Sequence, residues 1–229
     1  MKNLRIAIAT LMSVIFLNVN ANADIGIGFA GSFINVEASG SESSDTTGSE
    51  TDSSVNSATV DNEAFIGSIF AEYRMDNSFT IGYEHTPGQA DVSDKFKTRT
   101  DTETSVTDDD TTNEDSREFK ANAEIENYDI IYAEYNVYNN IYLRAGLAQI
   151  DVNTLETASS NGGSYGNASL DGFNYGIGYK NGGFKLSYEA TDFDSLSLTS
   201  TGNSVAAETN KISADLDTWA LKLSYGLYF

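Results

Sequence analysis

Trp219-Ala220-Leu221-Lys222-Leu223-Ser224-Tyr225-Gly226-Leu227-Tyr228-Phe229 alternates strictly. Read as a strand, it puts Trp219, Leu221, Leu223, Tyr225, Leu227 and Phe229 on one face. Thr218, Ala220, Lys222, Ser224 and Gly226 fall on the other. Successive side chains of a strand point to opposite sides, and about ten residues suffice for a tilted strand to cross a bilayer. The stretch therefore predicts a membrane-crossing strand with an apolar outside, a small polar inside and aromatic rings at both ends.

Working outward from it, the same alternation recurs in segments of about ten residues. They cover about Asp24 to Val36, Glu63 to Met75, Ser78 to Thr86, Glu124 to Val137, Ile141 to Ile150, Gly172 to Lys180 and Phe184 to Phe193. Short turns at Asp76-Asn77, Asn139-Asn140 and Asn181-Gly182-Gly183 join three pairs of them, as turn-forming residues should. Long polar stretches, at residues 38–62, 87–120, around Gly162, Gly163 and Gly166, and at about 195–210, alternate with those turns. The expected fold is all-β, an eight-stranded antiparallel up-and-down transmembrane β-barrel with short periplasmic turns and long extracellular loops.

Which face meets lipid is decided by charge and glycine. Glu72, Arg74, Glu84, Glu134, Arg144, Lys180, Lys185, Glu189 and Lys222 all lie opposite the apolar set. A soluble barrel of inverted polarity would allow that segregation; a lipid-facing apolar wall requires it. Gly26, Gly28, Gly82, Gly146, Gly176, Gly178 and Gly226 share the polar face, where they make room in a narrow lumen for long side chains from the far wall. The charges are expected to pair across the lumen as one network, because an unpaired buried charge is costly. Tyr73, Tyr135, Tyr179, Phe184 and Phe229 near the short turns, with Phe173 and Trp219 at the other end, form the expected aromatic girdles. Asp129 falls on the lipid side and is placed near the outer interface.

The N-terminus reads as a secretory signal over residues 1–23. Lys2 and Arg5 precede an apolar run from Ile6 to Leu17, and Ala21-Asn22-Ala23 supplies the small-residue cleavage pattern. The apolar run is too short for a spanning helix. Residues 24–229 then form one barrel domain. Without Lys2 and Arg5, 11 basic residues stand against 34 acidic ones, which disfavours nucleic acid and anionic lipid headgroups as direct partners and leaves divalent cations or basic partners open. There is no Cys, so thiol chemistry and cysteine metal sites are excluded.

Taken together, the signal segment, eight strands, alternating connection lengths, charged interior and terminal Phe229 resemble the small outer-membrane barrels typified by the OmpA membrane domain and OmpX. The resemblance implies an outer-membrane location, outer-membrane lipid and lipopolysaccharide as surroundings, and no cofactor. It also implies that the barrel-assembly machinery reads the closing strand through Tyr225, Leu227 and Phe229. A plugged structural or surface-interaction protein is the leading expectation, with a narrow porin-like channel for ions or small solutes next and an outer-membrane enzyme last.

Three motifs with chemical potential have plainer readings. Gly26-Ile27-Gly28-Phe29-Ala30-Gly31 matches the dinucleotide pattern, yet no strand precedes it and no helix follows. His85, the single histidine, follows the parity of Phe79, Ile81 and Tyr83, which points it at the interface as a structural residue. Asp108-Asp109-Asp110, with Asp101, Glu103, Glu114 and Asp115 nearby, has oxygen ligands for divalent cations but no calcium-loop spacing. Loops of this composition are expected to be solvated and to gather counter-ions loosely.

Overall fold

A computed structural model describes residues 24–45, 55–75, 78–93, 97–106, 112–157, 164–201 and 209–229. Within them lie ten strands: β1 (Asp24–Asp45), β2 (Val55–Arg74), β3 (Phe79–Asp91), β4 (Lys97–Val106), β5 (Thr112–Tyr138), β6 (Ile141–Thr157), β7 (Ala168–Asn181), β8 (Phe184–Phe193), β9 (Leu196–Thr199) and β10 (Thr209–Tyr228). Each barrel strand pairs antiparallel with its neighbours in the order β1-β2-β3-β5-β6-β7-β8-β10, and β10 pairs back onto β1. The result is a closed ring of eight. β4 pairs only with the outer part of β5, and β9 only with the outer part of β10.

The closing strand pairs as its alternation demands. Gly26 stands opposite Tyr228 and Ser32 opposite Lys222, and Phe229 N–H donates to the Ile25 carbonyl at 3.0 Å. The short ends need special backbone: Asn139 (φ 48°) and Gly182 (φ 60°) occupy the left-handed region in the turns after β5 and β7. Asn and Gly are the residues that adopt it at least cost.

The long connections differ from expectation. Most of 38–62 is not loop, because β1 and β2 stay paired from Asp24–Arg74 out to Ser43–Val55. β5 and β6 likewise pair out to Lys120–Thr157. A 22-residue strand such as β1 is roughly 70 Å long at about 3.3 Å per residue. The apolar band is only about 25 Å tall, so even with strand tilt a large part of the wall stands beyond the membrane. Ser and Thr in these stretches suggest loop by composition, but in a two-sided polar ribbon they sit comfortably on both faces. The signal segment, the Asp76-Asn77 turn, Asp108-Asp109-Asp110 and Gly162-Gly163 lie outside the described residues, as do the side chains of Asp101, Glu103, Glu114 and Asp115.

The inside of the ring has two halves. Towards the short turns it is charged; towards the outside it is apolar, built from Ile34, Val36, Val92, Ile130, Ile150, Val152, Leu170, Phe193 and Leu216. Expectation had made the whole inward face polar. The dinucleotide-like glycines lie inside β1. A Cβ on Gly28 would come within 2.3 Å of both the Phe70 ring and the Tyr225 carbonyl, so close packing explains that residue.

Candidate functional site

Two charged nodes fill the inner half of the lumen. In the node nearer the short turns, Lys185 on β8 reaches Glu134 on β5 at 2.8 Å and also bonds Glu72 on β2. Glu72 accepts from Tyr132 Oη at 2.8 Å and Tyr228 Oη at 2.9 Å. In the second node Arg144 on β6 bridges Glu84 at 2.7 Å and Glu189 at 3.2 Å. Lys222 on β10 bridges the same acids, each at 2.8 Å. Ser68 Oγ donates to Glu84 at 2.6 Å and Ser187 Oγ to Glu189 at 2.8 Å. The Arg144 guanidinium lies over the Tyr132 ring at 3.6 Å and so joins the nodes.

All seven charged side chains are buried. Charges held this far from bulk water persist only when paired and hydrogen-bonded, and here they are. The gap beside Glu84, Glu189 and Lys222 measures about 10 Å³, room for roughly one water. Just outside it, Asn174 Nδ2 donates to Thr191 Oγ1 at 3.0 Å, and Tyr128 Oη meets the same hydroxyl at 2.5 Å.

Arg74 and Lys180, expected in the same network, stand apart from its ion pairs. The Arg74 guanidinium stacks on the Tyr228 ring at 3.2 Å, and its Nε and Nη2 have no hydrogen-bond partner. Lys180 Nζ lies 5.8 Å from the Tyr142 ring. The reason is position: both are the last inward residues before a short turn, below the acids they were matched with. Parity also points Tyr128, Tyr132, Tyr142 and Tyr228 inward, a signal the charge-based reading passed over.

Of the girdle residues, Tyr135, Phe173, Tyr179, Phe184 and Phe229 are outward and exposed, and Trp219 packs between Phe33 and Tyr188. Tyr73 departs from the expected open ring. It keeps the outward register, opposite Ile25 and Ile81, but is only 7% exposed.

Along the wall, every barrel strand's outward row turns from apolar to polar towards its outer end. The changes run from Phe33 to Asn35 and Glu37 on β1, from Phe65 to Glu63 and Asp61 on β2, and from Tyr83 to His85 on β3. They continue from Ile131 to Asp129, Leu147 to Gln149, Phe173 to Asp171, Ala190 to Asp192 and Trp219 to Asp217 on the other five. This collar marks the outer edge of the apolar band. His85 Nδ1 meets Asp129 Oδ1 at 2.6 Å, and Tyr83 Oη donates to the same oxygen at 2.7 Å. Among the described residues no Ser, Thr or Cys side chain hydrogen-bonds His85. Next to His85, β3 and β5 break register between Thr86 and Gln89, where Pro87 has no N–H to give and Gly88 takes φ 100°. An apolar recess of about 40 Å³ lies inside this break, against Ile34, Ile66, Ile125 and Phe193.

Comparison with solved structures returns outer-membrane proteins. The likeness is to small outer-membrane β-barrels. OprG of Pseudomonas aeruginosa aligns over 90% of this chain and 96% of its own, at 11% identity and a TM-score of 0.46. The outer membrane protein AlkL aligns over 93% and 94%, at 14% identity and a TM-score of 0.46. Ail, the attachment invasion locus protein of Yersinia pestis, aligns over 90% and 97%, at 12% identity and a TM-score of 0.36. At these identities the likeness is one of fold. No protein-family model matches the chain, and neither does any curated protein.

Proposed function

We propose that this is an outer-membrane barrel with a closed lumen that acts through its raised outer walls, as a non-enzymatic surface-interaction and envelope-stabilising protein. The observation that carries the reading is the pair of buried nodes. Seven paired charges and their Ser and Tyr donors crowd the inner half, with a gap of only about 10 Å³ beside Glu84, Glu189 and Lys222, which supports a closed lumen over a channel. The paired strands continuing beyond the collar present a stiff polar surface suited to contact with outside partners. Residues 1–23 act as the export signal, and mature protein from the outer membrane should begin at Asp24.

Single-channel recording of the refolded barrel in a planar bilayer tests this. Insertion is first established by faster gel migration of the unboiled sample. A folded, silent barrel is the expected result; steady, reproducible conductance would overturn the closed-lumen reading.

A further inference from the structure

β2 is paired unequally on its two sides. Against β1 it is bonded from Asp24–Arg74 out to Ser43–Val55, with no break in register. Against β3 it is bonded only from Ile69–His85 to Arg74–Thr80. Beyond that point β3 is paired with β5 alone, and so is β4, which follows it. The side of β2 turned away from β1 therefore has no described strand beside it from Val55 to Ser68. Asn62 Nδ2 crosses the gap to the Asp91 carbonyl at 2.7 Å. In an antiparallel pair, alternate residues turn both N–H and C=O to the same neighbour. Ser57–Glu63 stand beyond Phe65, the last outward apolar residue of β2, so about three or four of them offer backbone groups to water.

Free edges are normally kept short or guarded by charge, proline or a bulge. β9 is four residues long, β4 carries Lys97 and Arg99, and β3 is interrupted by Pro87 and by Gly88 at φ 100°. The β2 edge has none of these devices. Residues 55–68 hold no Pro, Lys or Arg and run without a bulge.

The two rows beside the edge define what fits it. Inward, Val60 and Ala64 pack against the apolar outer half of the lumen. Outward, Asp61 and Glu63 are exposed, and Glu37 on β1 stands opposite Asp61. A strand laid along the edge sets alternate side chains beside each row, so apolar and basic residues in turn match it. A second copy of this chain fits poorly. Residues 24–229 hold 11 basic and 34 acidic residues, and pairing edge to edge would bring Asp61 and Glu63 towards their own copies.

We propose that the upper edge of β2, from Ser57 to Glu63, captures an extended segment of a partner polypeptide with alternating apolar and basic residues, which joins the sheet as a further strand. This names the partner class for the surface-interaction reading above and rests on it. Backbone bonds supply the affinity, and the acids select the sequence.

The probe is a fluorescent, capped peptide of alternating Lys and Val, matched to the edge in length. Its binding to the refolded mature barrel in zwitterionic vesicles is read by anisotropy. Saturable binding is expected, and little from an isomer with the same residues sorted into a Lys run and a Val run. N-methylation separates backbone pairing from charge attraction, because all Lys N–H groups of such a strand face one neighbour and all Val N–H groups the other. Of two forms, methylated on every Lys or on every Val, one should lose affinity about tenfold or more and the other keep it. Asp61→Asn combined with Glu63→Gln, both exposed, should weaken binding about threefold to tenfold with unchanged gel mobility. Equal binding by the two methylated forms, or by the sorted isomer, would reduce the contact to charge attraction and overturn the proposal. Wild-type affinity in the double variant would overturn it too, as would no binding by a barrel with heat-modifiable mobility. A dimer that excludes the peptide would give the edge to a second copy instead and overturn it as well. Loss of heat-modifiable mobility in the wild type strikes the outer-membrane reading and this proposal with it, and conductance of the same preparation tests the closed lumen separately.

Discussion

Replacing Lys185 with Met keeps most of the length of the side chain and removes the only cation of the inner node. Lys185 Nζ lies 2.8 and 3.0 Å from the two Glu134 oxygens, and both side chains are no more than 3% exposed. Glu72 keeps its Tyr132 and Tyr228 donors after the change. Glu134 has no other donor among its hydrogen bonds, so it is the group left stranded. Removing one partner of a buried pair costs about 3–5 kcal/mol, roughly a hundred- to several-thousandfold in the folding equilibrium. The two tyrosine donors confine most of that loss to Glu134. Adding Glu134→Gln should therefore recover more than half of it, because a neutral amide needs no counter-charge. Urea unfolding in vesicles, followed by Trp219 emission and by gel mobility, measures both variants. A Lys185→Met cost below about 1 kcal/mol, the range of exposed pairs, would refute the reasoning. So would a double variant no more stable than the single one.

Other expectations follow from the same geometry. In Gly82→Ala the new Cβ would lie 2.2 Å from Tyr132 Cζ, displacing the ring that binds Glu72 and carries Arg144; equilibrium unfolding should show a loss of about 1–3 kcal/mol. Gly166→Ala, which meets nothing within 4 Å, should stay within about 0.5 kcal/mol of wild type in the same assay. Deleting Phe229 removes its two backbone bonds to Ile25 and an exposed ring. Refolding into vesicles should survive this with a loss of about 1–3 kcal/mol, whereas surface levels in cells should fall sharply if the assembly machinery reads that residue. Arg144→Ala opens the outer node, and single-channel recording should then show current that the wild type lacks.

Much of the barrel was legible because period two is a strong signal where one face must be apolar. The strand faces, the inward glycines and the outward row from Trp219 to Phe229 all followed from it. What was lost lies where that contrast fades. Beyond the collar β1 and β2 are polar on both faces, so alternation carries no information, and their pairing out to Ser43–Val55 looked like loop. The outer half of the lumen fails the opposite way, since Ile34, Val36, Ile130 and Ile150 are apolar on the inward face. Sequence placed nine charges on one face but could not give their heights, and height decides that Arg74 and Lys180 miss the acids. The free upper edge of β2 was invisible as well, because it is set by where β3 stops pairing.

Because β10 zips onto β1 along twenty consecutive pairs, from Gly26–Tyr228 to Asp45–Thr209, the first and last described strands are each other's edge. No shorter piece of the ring can hide both of its edges, so a chain cut anywhere before β10 exposes two unsatisfied backbones to hydrocarbon. Assembly must then wait for β10, with its slowest step the meeting of β10 with β1. The same adjacency makes the order of strands arbitrary once closure is reached. Ile25 and Phe229 already touch, so a chain relinked there and opened in an outer hairpin should build the same barrel, with the seam moved elsewhere.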